Sequence, residues 1–596
     1  MDRRHFLRYS VAGLSLPALV ACGTDSTNTA NNSNNPTAPN SSNLLITANA
    51  AELIDTQNPF PFGVASGDPT SKSVILWSAV VPKNSSVEAI PLKLEYVLGP
   101  NELTDEAQWM SLFTAASTQT LGTFVAMRSR DFTIKVDLGN EALYNRVQFN
   151  QGKIAALPAN QFVYFRFVAG EFKSRIGRSK TLPTGTVNSC KYAVTSCSNL
   201  PAGYFSVYEM IRKEQLDFVV HLGDYLYEYG SGQYGDGEAL TRNGMARIPN
   251  PPKEMVSQED YVLRHQQYKM DADLQALHGS HPMITVWDDH EITNDAYKDG
   301  AENHNEGEGD YQERKAKAIR AYFNWMPLGE KFPRLANTTE PDPREVIYRD
   351  FRVGDLMDLI MLDTRIVGRD KQASTPAVDP ARFDANRNLI GFEQRKWLSS
   401  RLYDSKSNNS IWTVLGQQVM FGQLNLVEVP QVKLLGQSLL GNLVALNMDQ
   451  WDGYVAERNR VFNLIKDVGI ENFVVLTGDI HTSWAIELYE NPLALLGGLA
   501  QRSLGVELVT PSVTSPGFPD EVADAVSAAI PLANPHIKYN ELKTKGFVLV
   551  EMTREKMTAT WKYAQSITDE KLIGVENQAM RTSYVVPVGT NKLNPV

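Results

Sequence analysis

Two short apolar runs in this chain share one pattern, because each ends in Gly-Asp and is followed by residues that can bind metals. They are residues 217–224 and 473–481. Apolar runs of this length, bounded by turn residues, predict buried β-strands. A third apolar run ends in Asp-Asp-His-Glu at residues 288–291. In α/β proteins, buried strands deliver side chains to a crevice at their carboxyl ends, so we expect these three ends to supply ligands for two metal ions.

The same patterning divides the chain into regions. From about residue 60 to residue 183, short strand-like runs such as 73–77 and 162–167 alternate with turn residues, which predicts a small immunoglobulin-like β-sandwich. After it, strand-like runs alternate with helical patterns, which predicts an α/β domain with a largely parallel sheet. Residues 546–551 and 557–562 predict an antiparallel hairpin that completes a sheet. The expected regions are a signal at 1–22, a linker at 23–55, the β-sandwich domain at 56–185, the α/β domain at 188–575 and a tail at 576–596.

The N-terminus predicts export. Arg3 and Arg4 precede a short apolar segment at residues 11–21, as in twin-arginine signals. This segment is too short to span a bilayer, which takes about 20 apolar residues. It ends at Cys22 in a sequence similar to a bacterial lipobox. We therefore expect twin-arginine export to the periplasm or cell surface and a lipid anchor on Cys22, with a cytoplasmic N-terminal helix as the alternative. Residues 23–42, rich in Asn, Thr and Ser, read as a flexible tether.

Composition narrows the class of protein. The chain has 596 residues, of which 42% are hydrophobic and 21% charged, as in ordinary globular proteins. Its net charge of -11 argues against nucleic acid as a partner. The three cysteines, Cys22, Cys190 and Cys197, exclude a disulfide framework. Pairing of Cys190 with Cys197 remains an alternative to a metal thiolate at Cys197. We expect a monomer.

Seven motifs, in order, resemble those of the PhoD-type alkaline phosphatases of the calcineurin-like metallophosphoesterase superfamily. The motifs are residues 62–69, 195–198, 221–228, 287–291, 362–365, 449–454 and 478–481. The resemblance extends from about residue 60 to residue 565. It implies a four-layer α/β/β/α catalytic domain behind an N-terminal β-sandwich. It also implies phosphatase or phosphodiesterase activity and a site that combines Fe³⁺ with Ca²⁺.

Four side chains are the expected ligands of the iron. Asp224 ends a strand, where its two oxygens can bridge both cations. Tyr227 lies three residues further on, the offset at which purple acid phosphatases bind iron through a phenolate. Phenolate and thiolate stabilise ferric iron, and Cys197 also follows a strand. His481 would add an imidazole.

Oxygen ligands are expected around the second metal. Asp479 stands where the superfamily usually has His, and an oxygen in place of a nitrogen favours a hard ion such as calcium. Asp289 takes the place of a ligand Asn in the superfamily. Asn294 or Asp295 would add an oxygen, and we favour Asp295. Asp288 is expected to orient a neighbouring ligand.

Two residues are expected to act on the phosphate ester. His290 resembles the superfamily histidine that protonates the leaving alkoxide or stabilises the phosphate oxygens. Arg365 follows the strand-like run at 359–362 and would contact the phosphate with both arms of its guanidinium, oriented by Asp363. A surface salt bridge is the alternative for Arg365. The Asp452 carboxylate, in a later motif, is expected to be structural.

Two alternatives for the function stay open at this point. One is a phospholipase D-like phosphodiesterase, and the other is a non-enzymatic surface protein that keeps its metals to bind a ligand. Because Asp224 and His290 are both present, the enzyme is favoured. Two apolar stretches, residues 432–446 and 492–499, are expected to be buried between domains, although an exposed rim near the site is possible.

Overall fold

The computed structural model of the chain describes residues 49–99, 103, 105–140, 155–235, 240–242, 244–329, 346–373, 379–424 and 448–596. The predicted export signal, Cys22, most of the linker and the apolar stretch 432–446 lie outside these residues. No helix in the described ranges is long and apolar enough to cross a membrane.

Two large sheets form the centre of the molecule. The first has ten strands in the order Asn594–Pro595, Thr582–Pro587, Lys556–Tyr563, Gly546–Thr553, Ser189–Thr195, Phe218–His221, Met283–Thr285, Val64–Gly67, Val74–Ala79 and Thr133–Leu138. The second has seven strands in the order Arg349–Val353, Met357–Met361, Trp412–Gly416, Phe473–Thr477, Gly505–Val509, Ser483–Leu488 and Ile537–Glu541. In both sheets the central strands are parallel. Their carboxyl ends therefore lie at one edge of each sheet.

The two sheets pack face to face and carry helices on their outer faces. One apolar core joins side chains of both sheets, such as Val219 and Val474. A second core lies between the seven-stranded sheet and its helices, and it includes Val475 and Leu398. The described α-helices are Glu106–Ser111, Ser206–Arg212, Gln258–Lys269, Ala272–Ser280, Tyr311–Trp325, Gly391–Ser407, Val455–Val468 and Asp520–Ala533. The predicted four-layer α/β/β/α architecture is confirmed.

The N-terminal region is a β-sandwich that shares one of its sheets with the rest of the molecule. Its separate sheet consists of Gln119–Met127, Ala89–Gly99, Phe162–Ala169, Phe172–Lys173 and Gly177–Lys180. This sheet packs against three strands at the end of the ten-stranded sheet around a common apolar core. One of those three strands pairs in parallel with Met283–Thr285. The sequence did not indicate that the sandwich continues the main sheet.

Two other expectations differ from what the structure contains. Residues 576–596, expected as a tail, contribute two strands to the ten-stranded sheet, while the predicted hairpin before them is present in antiparallel register. The stretch 492–499 is not buried, because Leu493, Leu496 and Leu499 are 46%, 49% and 64% exposed. Its expected packing between domains is therefore wrong.

Candidate active site

The Gly-Asp pairs allow the strand ends to approach each other closely. A Cβ on Gly223, whose φ is +101°, would lie 2.4 Å from the backbone nitrogen of Asp288. A Cβ on Gly478 would lie 2.9 Å from the side chain of Ser196. Glycine is required where backbones meet at such distances. The strand ends that carry the expected ligands therefore converge from both sheets.

The backbone at these positions is unusual. Five of the seven expected metal ligands have positive φ, a conformation that costs free energy for any residue other than glycine and that is enriched at functional sites. They are Cys197, Asp224, Asp295, Asp479 and His481, with φ of 61°, 52°, 54°, 65° and 60°. Their side chains are turned into the site by the backbone itself.

Four expected iron ligands lie together, and we call Cys197, Asp224, Tyr227 and His481 the cysteine cluster. The ligand atoms of Cys197, Asp224 and His481 all lie within 4.8 Å of one another. The Tyr227 hydroxyl donates to Asp224 Oδ2 at 2.9 Å and lies 3.0 Å from His481 Nε2. Thiol, carboxylate, phenol and imidazole therefore face one point.

A distant loop holds the cysteine cluster in place. Ser515 Oγ donates to the Tyr227 hydroxyl at 2.7 Å, and its backbone nitrogen donates to the Cys197 carbonyl. His481 Nδ1 lies 2.8 Å from the Pro516 carbonyl, so a proton on Nδ1 leaves Nε2 free as the ligand atom. Sequence analysis missed this loop, because nothing in residues 512–516 signals a contact with strand ends hundreds of residues away.

The electrostatics of the cysteine cluster fit a bound cation. Burial, and then the charge of Asp224, raise the pKa of the Cys197 thiol well above its ordinary value. The same two causes raise the pKa of the Tyr227 phenol. Asp224 Oδ1 is buried and lacks a hydrogen-bond partner among the residues that the structure describes. An unpaired buried carboxylate is costly, and a metal ion would compensate it while deprotonating the thiol.

Next to this cluster, four carboxylates surround one guanidinium, and we call Asp288, Asp289, Asp449 and Asp479 the carboxylate cluster. Its guanidinium belongs to Arg365, which is 0% exposed, so the surface salt bridge considered for Arg365 is excluded. The three contacts are Nε to Asp288, Nη1 to Asp449 and Nη2 to Asp479. Asp289 lies 3.6 Å from Nη2. The guanidinium thus contacts carboxylates, not an open phosphate site.

A second buried guanidinium, that of Arg369, pairs with Asp449, but two guanidinium groups are still too little positive charge for four carboxylates. Burial raises the pKa of Asp479 to about 7 in spite of Arg365. Burial also raises the pKa of Asp288 well above its ordinary value, and Asp288 Oδ2 lacks a hydrogen-bond partner in the described part of the chain. The ligand oxygens of Asp288, Asp289 and Asp479 lie within 4.8 Å of one another. Such a set of oxygens fits a hard cation.

The neighbouring candidates Asn294 and Asp295 make different contacts. Asn294 donates its side-chain amide to Glu302 at 3.0 Å. The backbone nitrogen of Asp295 donates to Asp289 Oδ2 at 2.6 Å, and burial together with Asp449 raises the pKa of the Asp295 carboxyl to about 8. The structure therefore places Asp295, and not the Asn294 amide, beside the carboxylate cluster.

Two residues of the motif at 449–454 belong to the site and were not assigned from the sequence. Asp449 contacts Arg365 and also accepts from Gln372 Nε2 at 2.6 Å. Gln450 Nε2 donates to Asp479 Oδ2. Asp452, expected to be structural, pairs with Arg458 at 2.6 Å. The motif itself was recognisable, but which of its residues reach the site depends on the turn between residues 448 and 454.

His290 lies between the two clusters. A nitrogen of its ring lies within 4.8 Å of oxygens of Asp224 and Asp289. Its Nδ1 lies 2.7 Å from Glu228 Oε2, and Glu228 is fully buried. Burial lowers the pKa of His290, but Glu228 and Asp224 outweigh it and raise that pKa well above the ordinary value. The neighbouring carboxylates thus favour the protonated ring, and its Nε2 is not engaged by Glu228.

Glu228 is built to accept hydrogen bonds. Besides His290 it accepts from Thr293 Oγ1 at 3.2 Å, from the backbone nitrogen of Asn294 at 2.8 Å and from Asn303 Nδ2 at 2.9 Å. These contacts keep the pKa of Glu228 below its ordinary value in spite of burial. Glu228 is the last residue of the motif at 221–228, and its role could not be predicted from that motif.

Comparison with known proteins decides the family. The family model described as PhoD-like phosphatase matches residues 192–561, and the one described as PhoD-like phosphatase, N-terminal domain, matches residues 47–183. The chain belongs to the PhoD-like phosphatase family. It is 33% identical to alkaline phosphatase D of Bacillus subtilis (strain 168) over 524 residues, which cover 86% of this chain and 78% of that protein. A solved structure titled "Structure of PhoD" matches with a TM-score of 0.71 and 32% identity, covering 90% of this chain and 92% of the other.

Membership of this family establishes the class of reaction. The protein is a hydrolase of phosphoric ester bonds, so the predicted enzyme is confirmed over the non-enzymatic binding protein. The family is metal-dependent, and the residues of this chain include groups that could hold metal ions.

Proposed function

We propose that this protein is an exported phosphatase or phosphodiesterase that hydrolyses phosphate esters at a two-metal site of Fe³⁺ and Ca²⁺. The observation that carries the proposal is a continuous series of donor groups, in which Asp224 lies with Cys197 and His481, Asp289 lies with Asp224, and Asp288 and Asp479 lie with Asp289. His290 lies beside Asp224 and Asp289. A single structural role would not require this combination of donors in one buried place.

The two donor sets suit different ions. The cysteine cluster would hold ferric iron, since thiolate and phenolate are its strong donors. Asp289 and Asp479, whose ligand oxygens lie within 4.8 Å of each other and of those of Asp288, would hold calcium, with Asp295 and Asp224 as the further expected ligands. When bound, two such ions neutralise the phosphate and lower the pKa of a water molecule that attacks it.

His290 supplies the proton for the leaving group. Its Nδ1 proton stays on the ring, hydrogen-bonded to Glu228, while the Nε2 proton passes to the alcohol oxygen as the bond from that oxygen to phosphorus breaks. The ring is then neutral and is reprotonated from solvent. Glu228 thereby fixes which nitrogen faces the substrate.

Arg365 has a different role from the phosphate contact expected from the sequence. Each of its three guanidinium nitrogens contacts a carboxylate, those of Asp288, Asp449 and Asp479. It therefore sets the spacing of the carboxylate cluster and offsets part of its charge. Asp363 contributes by accepting the backbone N–H of Arg365 at 2.8 Å, which fixes the turn and not the guanidinium.

The test is how the kcat of His290→Ala depends on the leaving group of the ester. We expect this variant to lose roughly 10²–10⁴-fold in kcat on an alkyl phosphate, the usual range for general acid catalysis, and much less on nitrophenyl phosphate, whose leaving group needs no proton. Elemental analysis should find both metals retained. Equal losses on the two esters with intact metals would mean that the proton comes from another group.

We also propose that the protein is lipid-anchored outside the cytoplasm. The twin-arginine pair and Cys22 support this proposal. Replacing Arg3 and Arg4 by lysine should retain the precursor inside the cell, whereas Cys22→Ser should release a soluble exported protein. A Cys22→Ser protein that still partitions into detergent would contradict the anchor.

A further inference from the structure

Two partly exposed tyrosine rings, Tyr229 and Tyr234, lie beside His290. Their ring centroids are 5.5 Å and 6.2 Å from that of His290, and Tyr234 is nearly parallel to the imidazole, at 17°. The two tyrosine rings are 5.2 Å apart. A third ring, Tyr227, lies 4.2 Å from His290 but is buried. Of these three rings, Tyr229 and Tyr234 are the ones that a molecule arriving from solvent can touch.

The orientation of His290 determines which part of the substrate meets these rings. Because Nδ1 is directed at Glu228, Nε2 is the nitrogen left for the substrate. In the proposed function, on which this inference rests, Nε2 protonates the oxygen of the leaving alcohol. The carbon skeleton of that alcohol must then lie next to the same imidazole, within reach of both tyrosines.

The chemistry of the rings indicates which alcohols they favour. The rings of Tyr229 and Tyr234 lie 5.2 Å apart at 41° and present their aromatic faces beside His290. Neutral aromatic faces pack best against flat, apolar groups.

We propose that Tyr229 and Tyr234 form a subsite for the alcohol portion of the ester, and that this subsite favours neutral alcohols with an aromatic ring. Tyr234 is fixed at one end, because its hydroxyl lies 3.3 Å from His481 Nδ1. Tyr229 supplies the second face. The subsite therefore acts on the leaving group through its aromatic faces.

Benzyl and ethyl phosphate test the subsite, because their alcohols are similarly basic and differ in the aromatic ring. We expect the wild-type protein to prefer benzyl phosphate, and Tyr229→Ala to lower kcat/KM for it roughly tenfold, as loss of an aromatic contact does. Ethyl phosphate should change less than about twofold. Tyr229→Phe, which keeps the ring, is the matched control and should retain the preference. Benzylphosphonate should inhibit the wild-type protein more strongly than ethylphosphonate, and Tyr229→Ala should reduce this difference. Because phosphonates bind without being hydrolysed, this measurement separates binding from chemistry.

Two outcomes would overturn the subsite. One is an equal kcat/KM for the two esters in the wild-type protein, and the other is an equal loss of kcat/KM on both esters in Tyr229→Ala. Tyr234→Ala, checked by circular dichroism and metal content, repeats the test from the other ring should Tyr229→Ala fail to fold. A wild-type protein that binds its metals but hydrolyses neither ester would contradict the proposed function, a result distinct from activity without preference.

Discussion

The cysteine cluster and the carboxylate cluster lie side by side but are held in different ways. The first is fixed by neutral hydrogen bonds from a distant loop, chiefly those of Ser515 and Pro516. The second is held by the buried guanidinium of Arg365 among four carboxylates, one of which also pairs with Arg369. The first is therefore arranged by packing and needs a cation to deprotonate its donors. The second is arranged by charge and needs a cation to complete its neutralisation.

Asp224 belongs to the cysteine cluster and its carboxylate also lies within 4.8 Å of that of Asp289 in the carboxylate cluster, so its substitution has the largest expected effect. Asp224→Asn should lower metal content and activity together. The loss of affinity should exceed the about 10–100-fold that removal of an outer hydrogen-bond partner costs. Metal analysis and phosphatase assays on the same preparation measure both. Asp310→Asn is the control, because Asp310 caps a helix and Asn caps equally well. If Asp224→Asn loses one metal only, the two clusters do not share it.

Arg365→Lys changes the carboxylate cluster and leaves the cysteine cluster intact. Lysine keeps the charge but cannot reach three carboxylates, so buried acceptors are left unpaired. We expect a loss of about 1–3 kcal/mol in the free energy of unfolding and a lower affinity for calcium, with iron retained. Chemical denaturation and metal titration measure the two effects.

Arg349→Lys is the matched control, since Arg349 pairs with Asp68 at 2.7 Å on the N-terminal side of the molecule. It should lose stability without losing calcium. Equal loss of iron and calcium in Arg365→Lys would contradict the division into two clusters.

Glu228→Gln addresses the histidine that lies between the clusters. Glutamine has one acceptor oxygen and cannot satisfy four donors, so His290 should lose its fixed orientation. We expect roughly tenfold lower kcat on an alkyl phosphate, less than the 10²–10⁴-fold expected for the acid itself. If Glu228 acts through His290, the double variant with His290→Ala should be no slower than His290→Ala alone.

A buried carboxylate elsewhere controls for the structural cost of this change. Glu487 is 2% exposed and accepts from Lys592 at 3.0 Å and from the Leu593 backbone at 3.1 Å. Glu487→Gln should lower stability without a leaving-group-dependent effect. Additive losses in the Glu228/His290 double variant would instead assign Glu228 a role independent of His290.

The parts of the site that could be predicted from the sequence are those determined by short runs of adjacent residues. The Gly-Asp pairs follow apolar runs, so the strand ends at Asp224 and Asp479 were predictable from adjacent residues alone. The hairpin at the C-terminal end was predictable for the same reason, because its alternation of apolar and polar residues is local.

The parts that were missed depend on contacts between remote residues. Ser515 meets Tyr227 across 288 positions, and Asp449 meets Arg365 across 84. An arginine that follows a strand suggested a phosphate contact, but in the structure the Arg365 guanidinium lies beside four carboxylates. Pairing of the N-terminal strand Val64–Gly67 with Met283–Thr285 is likewise set by tertiary packing. None of these contacts has a signal within a short window of sequence.

The most direct test of the two-cluster account is the metal content and visible spectrum of the purified protein beside Cys197→Ser. The account predicts iron and calcium in the wild-type protein, with visible absorption from charge transfer between Tyr227 or Cys197 and ferric iron. Cys197→Ser should lose iron and shift or lose this absorption while keeping calcium. A colourless, fully active wild-type protein that contains only zinc would contradict it.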